Sequence, residues 1–225
     1  MSSAVMNRSM RAVGVATLSV CVLAVSACET FGAKGRGAVV GAAGGAVVGG
    51  VVGNQTGSTA RGALIGAIVG GTAGAIIGHQ MDQQAKELQL QIPGATVERV
   101  GEGIQVTFAS GLLYDFDSDV VRESAAENLA NLARSLDKFP NTVLLVVGHT
   151  DAQGSTAYNQ DLSSRRAAAA SRFLGARGVS SERLRTSGRG ELEPVSSNTT
   201  ENGRQLNRRI EVAIFANEAA RGGAR

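Results

Sequence analysis

Asp151 and Arg166 are the residues whose types and spacing could do chemistry. They close the stretch from Val143 to Arg166, VLLVVGHTDAQGSTAYNQDLSSRR, with a carboxylate at a strand end and a guanidinium about two turns into the following helix. Across one shallow loop such a pair suits a zwitterionic ligand. The carboxylate accepts from an ammonium group, and the guanidinium grips a carboxylate through two parallel hydrogen bonds. The same spacing also fits an internal Asp151–Arg166 salt bridge with no ligand. His149 and Asp151 could suggest acid–base chemistry, yet Ser155, Ser163 and Ser164 lie in no nucleophile-elbow motif. His79 and His149 are the two histidines, and neither stands in a metal-ligand cluster. The expectation is a binding module with no catalytic residues, no metal and no cofactor.

The flanking pattern must supply elements to position this pair. Val143 to Val147 read as a buried strand, and Gly148 lets the backbone turn tightly at its end. His149, Thr150 and Asp151 stand at that mouth, and a helical pattern runs from about Asn159 with Leu162, Ala169, Phe173 and Leu174 on its apolar side. Upstream, Thr96–Val100 and Ile104–Phe108 flank Gly101-Glu102-Gly103 as a hairpin, and Leu112–Phe116 reads as a further strand. Ser118 or Asp119 could cap a helix over Val121–Lys138, whose buried stripe is Leu129, Leu132, Ala133 and Leu136. Downstream, Arg183–Thr186 offers a short strand, Gly188–Gln205 a loop, and Arg208–Phe215 a final strand. Fold class is therefore α/β: a small mixed β-sheet with helices packed on one face.

The blocks Gly148-His149-Thr150-Asp151, Gly154, Asn159, Leu162-Ser163 and Arg166-Ala167 resemble the signature of the OmpA-like peptidoglycan-binding domain, and Asn207-Arg208-Arg209-Ile210-Glu211 resembles its closing strand. The resemblance implies that Asp151 holds the free ammonium of a meso-diaminopimelate residue in a peptidoglycan stem peptide, while Arg166 holds a carboxylate of the same residue. It places Thr150 and Asn159 where the family shapes its pocket, although both could equally be loop-capping residues. Asp117 and Arg209 could approach the pocket, with strand capping and an internal ion pair as equally good explanations. Two positions depart from the family: Arg189 stands where an aromatic residue is common, and Ala170 where a bulkier Val often packs.

Composition locates an accessory region before this domain. Of 30 glycines, fifteen lie between Gly35 and Gly78. Gly37, Gly41, Gly45, Gly49 and Gly53 are spaced by four, as are Gly62, Gly66, Gly70, Gly74 and Gly78, with the polar turn 54–61 between the runs. Glycines at that spacing share one helical face and let two backbones approach closely. The reading is a helical hairpin with a glycine seam, either membrane-embedded or a soluble oligomerisation hairpin buried against itself. Ten seam glycines cost each isolated helix stability, about 1 kcal/mol apiece relative to alanine, so lipid or further copies must compensate.

Arg8 and Arg11 precede the apolar run Ala12–Ala27, the layout of a secretory signal, with Met6 as an alternative start to Met1. Val25-Ser26-Ala27-Cys28 resembles the bacterial lipobox, which implies that Cys28 is acylated and becomes the first mature residue; Glu29 after it favours the outer membrane. Removal of residues 1–27 leaves 20 Lys and Arg against 19 Asp and Glu, too balanced to argue for nucleic acid. The expected organisation is a lipoprotein signal peptide (1–27), an acylated tether (28–36), the glycine-zipper hairpin (37–80), a linker and helix extension (81–94), the OmpA-like domain (95–218) and a flexible tail (219–225). The whole resembles glycine-zipper outer-membrane lipoproteins. That layout implies a bridge from outer-membrane lipid to peptidoglycan, with homo-oligomers through 37–80 possible; the alternative is an oligomeric scaffold or pore built by the hairpin.

Overall fold

Alternation of side chains along the last strand organises the fold, because that strand lies at the centre of the sheet. The computed structural model describes residues 58–69, 75–217 and 219–220. The signal segment, Cys28, the tether, the first glycine arm and residues 221–225 lie outside the described residues. The described elements run α1 (Thr59–Val69), α2 (Ala75–Gln91), β1 (Ala95–Val100), β2 (Gly103–Ala109), α3 (Ser110–Leu113), α4 (Glu123–Lys138), β3 (Thr142–Gly148), α5 (Thr156–Ala176), β4 (Leu184–Gly188), α6 (Glu201–Asn207) and β5 (Arg209–Ala216). The strand order is β1-β2-β5-β3-β4. All pairings are antiparallel except β3 with β4, which are parallel and joined through α5.

Ile210, Val212 and Ile214 of β5 face the main core with Ile104, Val106 and Phe108 of β2 and Leu144 and Val146 of β3. Helices cover that face. Leu129, Leu132, Ala133 and Leu136 of α4 bury the expected stripe, and α5 adds Ala167, Ala170 and Leu174. Residues 81–92, expected as a linker and helix extension, instead contribute Met81, Ala85, Leu88 and Ile92 to the same core. Gln84 of α2 donates to Ser135 Oγ of α4 at 3.2 Å within this packing.

The opposite face of the sheet carries a helix from the glycine-rich region that precedes the domain. Ala60 and Leu64 of α1 are fully buried with Val147 of β3 and Ala213 of β5, flanked by Val100, Leu145 and Phe215. Arg61, expected in a polar turn, lies in the first turn of α1 and donates to Glu98 at 2.7 Å and Gln105 at 3.0 Å. Thus the start of the second glycine arm rests on the sheet. Among the described residues no helix is long and apolar enough to cross a membrane.

Three local expectations also change. Leu112–Phe116 forms no strand: Ser110–Leu113 turns as a short helix, and Tyr114 makes an isolated bridge with Val121. Neither Ser118 nor Asp119 caps α4, which begins after Arg122 without a side-chain cap. The helix carrying Arg166 starts earlier than its apolar stripe, because Ser155 Oγ accepts from the Tyr158 amide and caps it.

Candidate functional site

The C-terminal ends of β3 and β4 place the site. Gly148 and Gly188 stand side by side in the parallel register. A side chain at Gly148 would overlap the Ser163 backbone, and one at Gly188 would overlap Ser164, so these two glycines let α5 lie directly against the strand ends. Ser163 Oγ then accepts from the Gly190 amide at 2.9 Å, tying the loop after β4 to the helix. Thr150, on the loop after β3, donates its amide to the Gly190 carbonyl at 2.8 Å.

Asp151 and Arg166 come to the same end of the sheet, but they form no ion pair with each other. Asp151 Oδ2 accepts from Arg208 at 2.5 Å, and its Oδ1 accepts from the Gln153 amide at 3.0 Å. Arg208 in turn donates to Glu201 at 2.6 Å. Arg166 is held by carbonyls: Nε donates to Ser118 O at 2.8 Å and Nη2 to Asp115 O at 3.3 Å, while the guanidinium lies 5.4 Å from the Tyr114 ring centre. Its Nη1 has no protein acceptor, leaving a donor for a ligand. Both side chains are more enclosed than a solvent-facing loop suggests, each residue keeping 5% of its exposure.

Electrostatics preserve the positive charge here. Burial pulls the Arg166 pKa below its ordinary value, opposed by Tyr114, Tyr158, Asp117 and Asp119; a guanidinium remains protonated at neutral pH. Burial raises the Tyr114 phenol, whose hydroxyl donates to the Arg166 carbonyl at 2.7 Å. Asp117, in the left-handed backbone region at φ 56°, accepts from the Tyr158 hydroxyl. The 115–121 loop is therefore bound to α5 through both Arg166 and Tyr158.

The remaining expected residues divide. Thr150 is buried, and its Oγ1 has no partner, a polar atom that a ligand would satisfy. Asn159 donates to Glu191 at 2.5 Å and braces the loop after β4. Arg209 lies on the other face: it donates to Glu211 at 2.8 Å, to Asn207 O at 3.3 Å and to Glu193 O at 3.1 Å. Strand parity explains the difference, since Arg208 precedes β5 at the Asp151 side while Arg209 turns toward α1. Arg208 and Asn207 are the residues at the candidate site that sequence reasoning passed over, though both stood in the closing block. Asn207 accepts from the Val195 and Ser196 amides and donates to Ser196 O and Asn198 Oδ1, shaping the loop that borders Asp151.

Asp151 after β3 and Arg166 on α5 are thus held apart on a mixed sheet layered by helices. Residues 113–208 match the OmpA family and residues 6–82 the YMGG-like Gly-zipper, and the chain belongs to the OmpA family. It is 33% identical over 138 residues to the probable lipoprotein YiaD of Escherichia coli K12, covering 60% of this chain and 63% of that protein. It is 36% identical over 112 residues to the peptidoglycan-associated lipoprotein of Mesorhizobium japonicum, covering 50% of this chain and 67% of that one. The chain spans 57% of the outer membrane protein A of Bordetella avium, to which it is 36% identical over 49% of its own length. Among solved structures, the cell wall anchor of the T6SS from Pseudomonas aeruginosa superposes with a TM-score of 0.53 at 30% identity, over 61% of this chain and 97% of that one. The family is structural and non-enzymatic, and its relatives place this chain in the outer membrane with the OmpA-like domain in the periplasm. Among the described residues no group of side chains has metal-ligating arrangement.

Proposed function

We propose that the protein binds peptidoglycan noncovalently and ties the outer membrane to the cell wall, with Asp151 and Arg166 clamping the diaminopimelate residue of a stem peptide. The observation that carries this reading is that the two do not pair with each other: each is fixed by other partners, Arg166 keeps Nη1 unengaged, and the Thr150 hydroxyl has no partner. A ligand ammonium would share the Asp151 carboxylate with Arg208, and a ligand carboxylate would take the free Arg166 donor. Thr150 and Asn159 border the same pocket, whereas Arg209 supports it from behind. Acylated Cys28 supplies the membrane end. Pairing of residues 37–80 between copies would gather many weak wall contacts on one membrane and raise avidity.

The test is titration of the full mature chain with a diaminopimelate-containing stem peptide. Asp151→Asn keeps the side chain's shape and loses its charge, so binding is expected to weaken by about 2 kcal/mol or more. Arg166→Lys is expected to weaken it similarly, because an ammonium cannot hold two carbonyls and a ligand carboxylate in one plane. Thermal melts run beside the titration separate affinity from folding. Folded variants that bind as tightly as the wild type would eliminate this site.

A further inference from the structure

The least explained part of the molecule is α1. Among the described side chains its apolar contact is Ala60 and Leu64 against Val147 and Ala213, flanked by Val100, Leu145 and Phe215, a cluster separate from the main core. What fixes it is polar, at its N-terminal end. Ser58 Oγ donates to Glu211 at 2.5 Å, and Thr59 donates its amide and hydroxyl to the two Glu193 oxygens at 2.9 and 2.5 Å. Arg189 donates to Thr59 Oγ1 at 2.7 Å and lies 3.3 Å from Glu193. The Arg189 guanidinium thus serves the helix.

Arg189 and Glu193 bound a five-residue loop in which Gly190 and Glu191 reach the pocket side. The Arg189 amide donates to Gly148 O at 2.9 Å, and Gly190 exchanges bonds with Thr150 and Ser163. Glu191 accepts from Thr156 at 2.8 Å and from Asn159 at 2.5 Å. One short loop therefore touches the helix through the Arg189 and Glu193 side chains and the pocket side through Gly190 and Glu191.

We propose that α1 is a detachable strap whose docking on the sheet is coupled through the Arg189–Glu193 loop to the Asp151 pocket. The strap is the beginning of the second glycine arm, so whatever draws on that arm is transmitted to the wall-binding site. The coupling is reciprocal: occupation of the pocket tightens the strap by the same factor as the docked strap tightens the pocket. The ligand half of this inference rests on the peptidoglycan reading above; the mechanical half does not.

Amide hydrogen exchange on the full mature chain tests both. Two variants release the strap by different means: Ser58→Ala with Thr59→Val removes its polar latch, and Leu64→Asp removes its apolar contact. In each, amides of 60–69 are expected to exchange at least about fivefold faster, and those of Thr150 and Gly190 to follow, while β2 and α4 keep wild-type rates. Arg189→Ala is expected to loosen the same two groups. Faster exchange in α1 with Thr150 and Gly190 unchanged would overturn the coupling, and unchanged exchange in α1 would overturn the strap. Titration with the stem peptide then separates the readings: strap release is expected to weaken binding by about fivefold, whereas a wild type that binds nothing would sink the peptidoglycan reading and leave the exchange result to judge the strap.

Discussion

The charged residues near the site act as two separate circuits, and their protonation behaves accordingly. Asp151, Arg208 and Glu201 form the circuit on the pocket side. On the strap side His149 is wholly enclosed, its ring nitrogens 3.8 Å from Glu193 and 3.7 Å from Glu211, too long for hydrogen bonds. Burial lowers the His149 pKa below 6.5, with the Glu211 and Glu193 carboxylates opposing and Arg209 adding to the lowering. Burial raises the Glu211 carboxyl, but His149, Arg209 and Ser58 together bring it down to about 2 from 4.5. Both groups bind protons more readily in the unfolded chain. Stability is therefore full above pH 6.5, begins to fall as His149 protonates the unfolded state below that value, and falls further between pH 4.5 and about 2 as Glu211 does the same. Melting temperature measured against pH is expected to show both declines, and His149→Gln is expected to remove the first and shrink the second, because His149 leads the groups that lower the Glu211 carboxyl. Asp151 was legible as a candidate because polar loop residues after a buried strand stand out from its apolar run, and Arg166 because it falls on the helix that follows. Arg208 was not distinguishable from Arg209, since adjacent basic residues differ only in which side of the sheet they meet, and that depends on where β5 begins.

Elements were legible where periodicity was strong and obscure where tertiary contact decided. The α4 stripe and the β1–β2 hairpin follow directly from spacing. α6 did not, because its seven residues, ENGRQLN, carry no apolar period; Thr200 caps it by accepting from the Gly203 amide at 3.1 Å, and Asn207 anchors its end. Nor did α2 reveal its burial, since Met81, Ala85, Leu88 and Ile92 are interleaved with polar residues that read as an exit from an apolar arm. The tightest inter-element contact is that of α5 with β3 and β4 at the paired glycines. Gly148→Ala would set a methyl group against the Ser163 carbonyl, where neither strand nor helix can yield without disturbing the other. The expected cost is about 3 kcal/mol of unfolding free energy, read from denaturant titration. Because α5 carries Arg166, the same variant is expected to bind the stem peptide more weakly than its residual stability accounts for; equal affinity in the folded fraction would show that the helix position is not what sets the clamp.

At the scale of the whole molecule, the glycine spacing was legible as a zipper region, while the docking of α1 was not: nothing in TARGALIGAIV distinguishes a sheet-facing apolar side from a lipid-facing one. The strand order carries a consequence for how the protein is made. β5, the last strand of the chain, lies between β2 and β3, and each of those neighbours takes its antiparallel partner from it. Until residues 209–216 arrive, the β1–β2 hairpin and the β3–β4 pair are two fragments with no edge in common. Truncation after Gln205 is expected to leave a chain that a protease digests as readily as an unfolded one, and a resistant core of such a fragment would contradict this account. A chain delivered to the periplasm must cross the inner membrane before it folds there, and a sheet that cannot close until residues 209–216 join β2 and β3 is expected to leave the polypeptide threadable until that strand has followed the others.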